Sequence, residues 1–199
     1  MFHITSLCRG AWRPRRLIAT VVVAVIAAFT LSAGEGTALA AVPQIDGVYN
    51  LQFLHSGKCL NKPNLWTDDG VAVEQYDCVD WASTERWRLD YAGRTSSGKT
   101  KYLIRNMQSG KCLNIWLASY YDGAEVVQYS CWAGYDNETF TVSVAPEDSR
   151  YYRIRNTRSG KCLNVEGGSS DNGVRIIQYE CDGYWPQHTD NMAVRFLQI

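Results

Sequence analysis

Histidine is scarce in this chain, three in 199 residues, and only His55 and His188 fall after residue 40. Neither stands in a serine or cysteine nucleophile motif, and no Cys-x-x-Cys pair accompanies them. A histidine-assisted nucleophile and a clustered metal site therefore lack support, and both histidines read as lone surface residues. Net charge is missing too: 20 Lys and Arg balance 20 Asp and Glu. That balance offers no bulk attraction to nucleic acid or to an anionic membrane. Beyond residue 40 there is no long apolar run and no long apolar spacing of helical period. A phosphate loop is absent, and no pair of acidic residues recurs at a fixed offset, whereas a glycosidase needs two carboxyls at a defined separation. The expectation is a non-enzyme without metal or cofactor.

The first forty residues read as an export signal. Arg9, Arg13, Arg15 and Arg16 form a basic stretch, Leu17 to Leu31 an apolar run, and Ala38-Leu39-Ala40 a small-x-small cleavage pattern. A retained membrane anchor is the weaker reading, because the apolar run is short for a full span and ends in glycine and polar residues. Residues 41–199 then form one secreted domain, with sixteen basic and nineteen acidic side chains. It is expected to be extracellular, monomeric and free of membrane. Cys8 leaves with the signal, so six cysteines remain, an even number suited to an oxidising compartment.

What is there is repetition. Ser-Gly-Lys-Cys-Leu-Asn occurs at Ser56–Asn61, Ser109–Asn114 and Ser159–Asn164. At one fixed spacing follow Asp69-Gly70, Asp122-Gly123 and Asn172-Gly173, then Gln75-Tyr76, Gln128-Tyr129 and Gln178-Tyr179, each two residues before a cysteine. Upstream, Tyr49/Leu51, Tyr102/Ile104 and Tyr152/Ile154 open each copy. This is internal triplication, with repeats of about 46–98, 99–148 and 149–199. Six cysteines allow fifteen pairings. Three equivalent units are most simply served by one bridge each: Cys59–Cys78, Cys112–Cys131 and Cys162–Cys181. Metal ligation is the alternative that the missing histidines disfavour.

The Asp/Asn-Gly pairs read as hairpin turns with both residues at positive φ. Several short strands per repeat point to an all-β barrel-like fold with threefold pseudo-symmetry, a small propeller being the alternative arrangement. In the strand after each turn, period two sends Val71 and Val73, Ala124 and Val126, and Val174 and Ile176 to the core. The opposite face carries Tyr76, Tyr129 and Tyr179, rings suited to the C–H face of a sugar. Packing under a loop against the disulfide is the plainer reading, and Val127 and Ile177 on the same face favour it. The repeated glutamines read as structural, satisfying loop backbone groups, and Lys58, Lys111 and Lys161 as solvated turn residues.

Gly-Lys-Cys-Leu-Asn, the Asp/Asn-Gly turn, Gln-Tyr-x-Cys and a closing Gln-x-Trp-like triplet together resemble the ricin-type lectins, especially bacterial secreted carbohydrate-binding modules. The resemblance spans all three repeats. It implies a β-trefoil with up to three shallow sugar pockets, each built from the residue after Cys-Leu, the strand aromatic and a polar pair before the closing aromatic. Carried onto this chain, the middle repeat matches best, with Asn114, Tyr129, Asn137 and Glu138 before Phe140. Repeat 1 offers Asn61, Tyr76, Thr84 and Glu85 before Trp87, with Glu74 where many relatives keep Gln. Repeat 3 has Asn164 and Tyr179. Its closing aromatic is Phe196, fifteen residues after Cys181 instead of nine, with Ala193 and Val194 in the polar positions and an inserted loop bringing Trp185, His188 and Asn191. Asn stands in all three copies where relatives keep Asp, replacing a double acceptor by one acceptor and one donor; a turn role is the other reading for these asparagines. Asn137-Glu138-Thr139 is also a glycosylation sequon. The implied function is binding of polysaccharide or glycoconjugate sugars, the alternative a protein-interaction trefoil with degenerate pockets.

Overall fold

The computed structural model describes residue 43 and residues 46–181 and 190–199. The export-signal reading of 1–40 lies outside these residues, as do Trp185 and His188. Thirteen strands are present among them and no α-helix: β1 Val48–Phe53, β2 Cys59–Asn61, β3 Val71–Ala72, β4 Glu74–Tyr76, β5 Arg86–Arg94, β6 Thr100–Asn106, β7 Cys112–Ile115, β8 Val126–Tyr129, β9 Phe140–Val144, β10 Tyr152–Asn156, β11 Cys162–Val165, β12 Val174–Tyr179 and β13 Ala193–Gln198. Strands β3 and β4 are one strand interrupted at Val73, whose N–H turns to the Val126 carbonyl, so each repeat supplies four.

The first and last strands of the repeats close a ring. β1 pairs with β5, β5 with β6, β6 with β9, β9 with β10, β10 with β13 and β13 with β1, all antiparallel. Three hairpins, β2–β4, β7–β8 and β11–β12, cap one end of this six-stranded barrel. The fold is a β-trefoil. Its core repeats with the sequence: Leu51, Ile104 and Ile154 from the opening strands, Leu60, Leu113 and Leu163 after the cysteines, and Val73, Val126 and Ile176 from the hairpins are all buried. Each such side chain contributes about 1.5–3 kcal/mol by leaving water. The three disulfides form as expected, each joining cysteines 19 apart within one repeat.

Cyclic clasps lock the repeats to one another. Gln75, Gln128 and Gln178 are fully buried. The Gln128 amide donates to the Trp66 and Asp68 carbonyls of repeat 1 at 3.1 and 2.8 Å. Gln178 reaches Ser119 and Tyr121 of repeat 2 at 3.0 and 2.8 Å, and Gln75 reaches Ser169 and Asp171 of repeat 3, both at 2.8 Å. The glutamines therefore satisfy loop backbone groups, as the sequence suggested, but the loop held is always the preceding repeat's. The turn glycines join the same ring: Gly70, Gly123 and Gly173 donate to the carbonyls of Gln128, Gln178 and Gln75, each at 2.9 Å.

Four expectations are corrected here. At each Asp/Asn-Gly turn only the glycine takes positive φ, 86°, 80° and 78°, because the turn docks on the neighbouring repeat and is not a two-residue hairpin loop. The repeated lysines are largely shielded and ion-paired, not solvated: Lys111 to Asp69 at 2.6 Å, Lys161 to Asp122 at 2.7 Å and Lys58 to Asp77 at 2.5 Å. The last pair compensates a substitution. Repeat 3 has Asn172 where the other turns have Asp, and the acid reappears across the joint as Asp77, which also accepts from Asn172 at 2.8 Å. His55 is likewise no lone surface residue: half-buried at this joint, its Nε2 lies 3.0 Å from the Ser169 carbonyl.

The fourth correction concerns where repeat 3 closes. Tyr49 pairs with Trp87, Tyr102 with Phe140 and Tyr152 with Val194. Val194 thus closes the third repeat, and Asn191 and Met192, not Ala193 and Val194, occupy the polar-pair positions. Phe196 instead packs edge-on against Tyr49 and Tyr152, with ring centroids 5.3 and 5.5 Å away.

Candidate functional sites

Each candidate site lies where a disulfide-pinned strand runs beside the hairpin strand that carries the tyrosine. Register pairs Asn61 with Glu74, Asn114 with Val127 and Asn164 with Ile177. A short 3-10 turn just before the last strand of each repeat then brings in the polar pair: Ser83–Glu85, Asp136–Glu138 and Asp190–Met192. Tyr76, Tyr129 and Tyr179 are 44%, 38% and 43% exposed. That exposure argues against the reading in which they are covered by a loop. In repeats 2 and 3 that face is apolar beneath, where Val127 and Ile177 are buried, whereas repeat 1 has Glu74 there.

In repeat 2, Asn114 and Glu138 are 5% and 2% exposed and face each other. Asn114 Nδ2 donates to Glu138 Oε1 at 2.9 Å, and the Trp132 N–H donates to Oε2 at 2.6 Å. Burial pushes the Glu138 carboxyl above its ordinary range, with these two bonds pulling the other way. Asn137 Nδ2 donates to the Ile115 carbonyl at 3.3 Å, and Thr139 of the sequon is buried. Asn114 Oδ1 has no protein donor among the described residues.

Repeat 1 is arranged differently. Asn61 Nδ2 turns to Glu74 Oε1 at 3.0 Å, and Glu85 accepts from the Val79 N–H at 2.7 Å through Oε2. Burial raises both carboxyls, and for Glu85 the nearby charges of Asp77 and Asp80 add to the effect. With Tyr76 and Trp81 these residues line a cleft of about 490 Å³.

Repeat 3 keeps Asn164 and Tyr179 but not the acid. Met192 takes the place of Glu138 and packs on the Cys162–Cys181 bridge. Asn191 Nδ2 reaches the Val165 carbonyl at 3.2 Å, as Asn137 reaches Ile115, and it exchanges hydrogen bonds of 3.3–3.4 Å with Asn164.

Sequence reasoning missed the aromatic rim of repeat 2. Trp116 lies beside Tyr129 (centroids 6.5 Å), and Trp132 beside Tyr135 (6.1 Å), all four exposed. Trp116 also rests on the Gly70 turn, where an added Cβ would meet its ring at 3.2 Å. The following residues, Leu117 and Ala118, sit at φ 53° and 51°, whereas repeat 3 has Gly167 and Gly168 in the same turn. Non-glycine residues in that region cost about 1–3 kcal/mol each, a strain that gathers at functional sites. The signal was available in sequence as tryptophan and tyrosine crowding between 116 and 135.

The model of the ricin-type beta-trefoil lectin domain-like family matches residues 38–97 and 86–179. The chain belongs to that family. Among solved structures, the ricin-type lectin-like chain is similar to the designed three-fold symmetric protein ThreeFoil, at 35% identity and TM-score 0.66 over 77% of this chain and 100% of that one. It also resembles an exo-beta-1,3-galactanase, 1,3Gal43A, from Clostridium thermocellum, at 23% identity and TM-score 0.65, covering 80% of this chain and 31% of that one. The ricin B-like lectin of Macrolepiota procera, in complex with lactose, matches at 12% identity and TM-score 0.62 over 80% of this chain and 100% of that one. The last two likenesses speak for the fold alone. No curated protein matches the chain.

Proposed function

We propose that residues 41–199 form a secreted, monomeric lectin domain, released from a 1–40 leader, that binds sugars of a polysaccharide or glycoconjugate without catalysis. One observation carries the reading: an exposed tyrosine stands beside a largely buried asparagine–acid pair in both repeat 1 and repeat 2. The ring supplies a flat apolar face for a pyranose, and the held amide and carboxylate supply oriented hydrogen-bond partners for its hydroxyls. Repeat 2 fills each position the family resemblance names with a polar or aromatic residue, Asn114, Tyr129, Asn137 and Glu138, although Asn114 stands where relatives keep Asp. Repeat 3 contributes little, because Met192 replaces the acid and Asn164 and Asn191 satisfy each other. Two weak sites on one rigid body gain through avidity on a repeating polymer.

Retention on immobilised polysaccharides tests this. Asn114→Ala with Tyr129→Ala should abolish binding at repeat 2 while the fold persists by circular dichroism. Unchanged retention would reject the assignment of that site. A second reading, a protein-interaction trefoil, draws on Leu117, held exposed at positive φ in the rim of repeat 2. Failure on every glycan together with capture of a defined protein partner would favour it.

A further inference from the structure

The cleft of repeat 1 carries negative charge without a cation of its own. Glu74 and Glu85 both line it, and no lining residue is basic. The cations nearby are engaged elsewhere. Lys62 is buried and donates to the Asn64 and Trp66 carbonyls at 2.5 and 2.8 Å. Arg175, the cross-strand neighbour of Glu74, turns to Glu125 and Glu166. Lys58 is held by Asp77, and Arg86 donates to the Asp80 carbonyl.

Glu85 is only 2% exposed, yet just one of its oxygens is used. Oε2 accepts from the Val79 N–H, and Oε1 has no partner among the described residues while its side chain forms part of the cleft wall. Glu74 likewise spends Oε1 on Asn61 and leaves Oε2 without a hydrogen bond. Repeat 2 shows the contrast: Val127 replaces Glu74, and both oxygens of Glu138 are bonded.

Two unsatisfied carboxylate oxygens beside two exposed rings, Tyr76 and Trp81, match a ligand with a compact cation on an apolar frame. We propose that the repeat 1 cleft takes a sugar bearing a protonated amine, an aminosugar unit of a deacetylated aminoglycan, its ammonium meeting Glu74 and Glu85 and its ring lying on an aromatic face. An ammonium brings three donors, forms charge-assisted bonds to carboxylates and is attracted to π faces. An N-acetylated sugar of the same backbone lacks the charge and brings one N–H donor in place of three. This deepens the lectin reading and rests on it.

Calorimetric titration of the full chain carrying Tyr129→Ala, which weakens the repeat 2 site about tenfold, distinguishes the outcomes. The probes are a glucosamine trimer and the matching N-acetylglucosamine trimer. The glucosamine trimer should bind about tenfold tighter, and adding Glu74→Gln should reduce that ratio to about twofold or less. The Trp81 indole N–H resonance should move on titration, and in the unmutated chain it reports the same comparison if Tyr129→Ala folds poorly. Equal affinity for the two trimers, or a preference that survives Glu74→Gln, overturns the aminosugar assignment and leaves the lectin reading standing. If no sugar of any kind binds the unmutated chain, the lectin reading fails and the aminosugar assignment with it.

Discussion

The joints between repeats and the candidate sites are built from neighbouring letters of the same repeated motif, yet they have diverged to different degrees. At the joints the pattern is kept three times: a buried glutamine holding the preceding loop, a glycine donating to that glutamine's carbonyl, and a lysine paired with an acid. Where one joint lost its acid at Asn172, another appeared at Asp77 and the lysine stayed paired. At the sites the Glu138 position holds Glu85, Glu138 and Met192, and the Glu74 position holds Glu74, Val127 and Ile177. A joint serves the whole closed ring, so a loss there is felt globally. A site serves only its own ligand, so it can change or fall silent alone.

The largest expected effect breaks a joint's frame. Replacing Cys112 and Cys131 together by alanine should lower unfolding free energy by about 3 kcal/mol, read from urea denaturation. Gln178→Ala should cost about 2 kcal/mol, because its amide serves two loop carbonyls and its oxygen accepts from Ser159 at 2.6 Å. Gln128→Ala should cost about 1 kcal/mol less, since the Gln128 oxygen is buried without a partner. Equal losses at the two glutamines would contradict this accounting.

At a site the pattern should invert. Tyr129→Ala should change stability by no more than about 0.5 kcal/mol, as its ring is well exposed, while weakening sugar binding at repeat 2 about tenfold. A destabilisation of several kcal/mol would place Tyr129 with the frame.

The smallest effect separates the two regions by the sign of their response to pH. Burial raises the carboxyls of Glu74, Glu85 and Glu138 above the ordinary 4.5. A raised folded-state value means the folded protein binds those protons more readily, so stability should rise as pH falls through that upper window. Joint acids behave oppositely. Partial loss of hydration acts to raise Asp69, but bonds from Lys111 and Ser130 outweigh it and hold its carboxyl below the ordinary 3.8. Lys58 and Asn172 do the same for Asp77. Their contribution is complete above the ordinary value and is lost as pH falls through the lowered one. Urea midpoints across the acidic range should therefore climb slightly and then fall. In the double variant Lys58→Met, Lys111→Met the final fall should be shallower.

Much of the frame was legible because triplication is a one-dimensional signal. Period two assigned Val73, Val126 and Ile176 to the core, and identical cysteine offsets chose one pairing from fifteen. The joints were half legible: burial of the glutamines could be read, but not which loop they hold, since that partner lies about sixty residues away in Gln128 and Gln178 and over ninety in Gln75. Lys58, Lys111 and Lys161 looked solvated because their acids sit across a joint or at the far end of the hairpin. Counting residues back from Phe196 misplaced the third site by two positions, since an aromatic was taken as the closing residue and register gives that place to Val194.

The sequence by itself determined the all-β class, the number of repeats and the disulfide pairing, because these follow from spacing repeated along the chain, while the β-trefoil was implied by the family resemblance. Only the tertiary structure decided what each copy's site is made of. Whether Asn61 meets Glu74, Asn114 meets Glu138, or Asn164 meets Asn191 depends on which side chains the closed ring brings to 2.9–3.4 Å. A hydrogen bond is a short-range, directional interaction between residues 13 to 27 apart in the chain, and no periodicity encodes it.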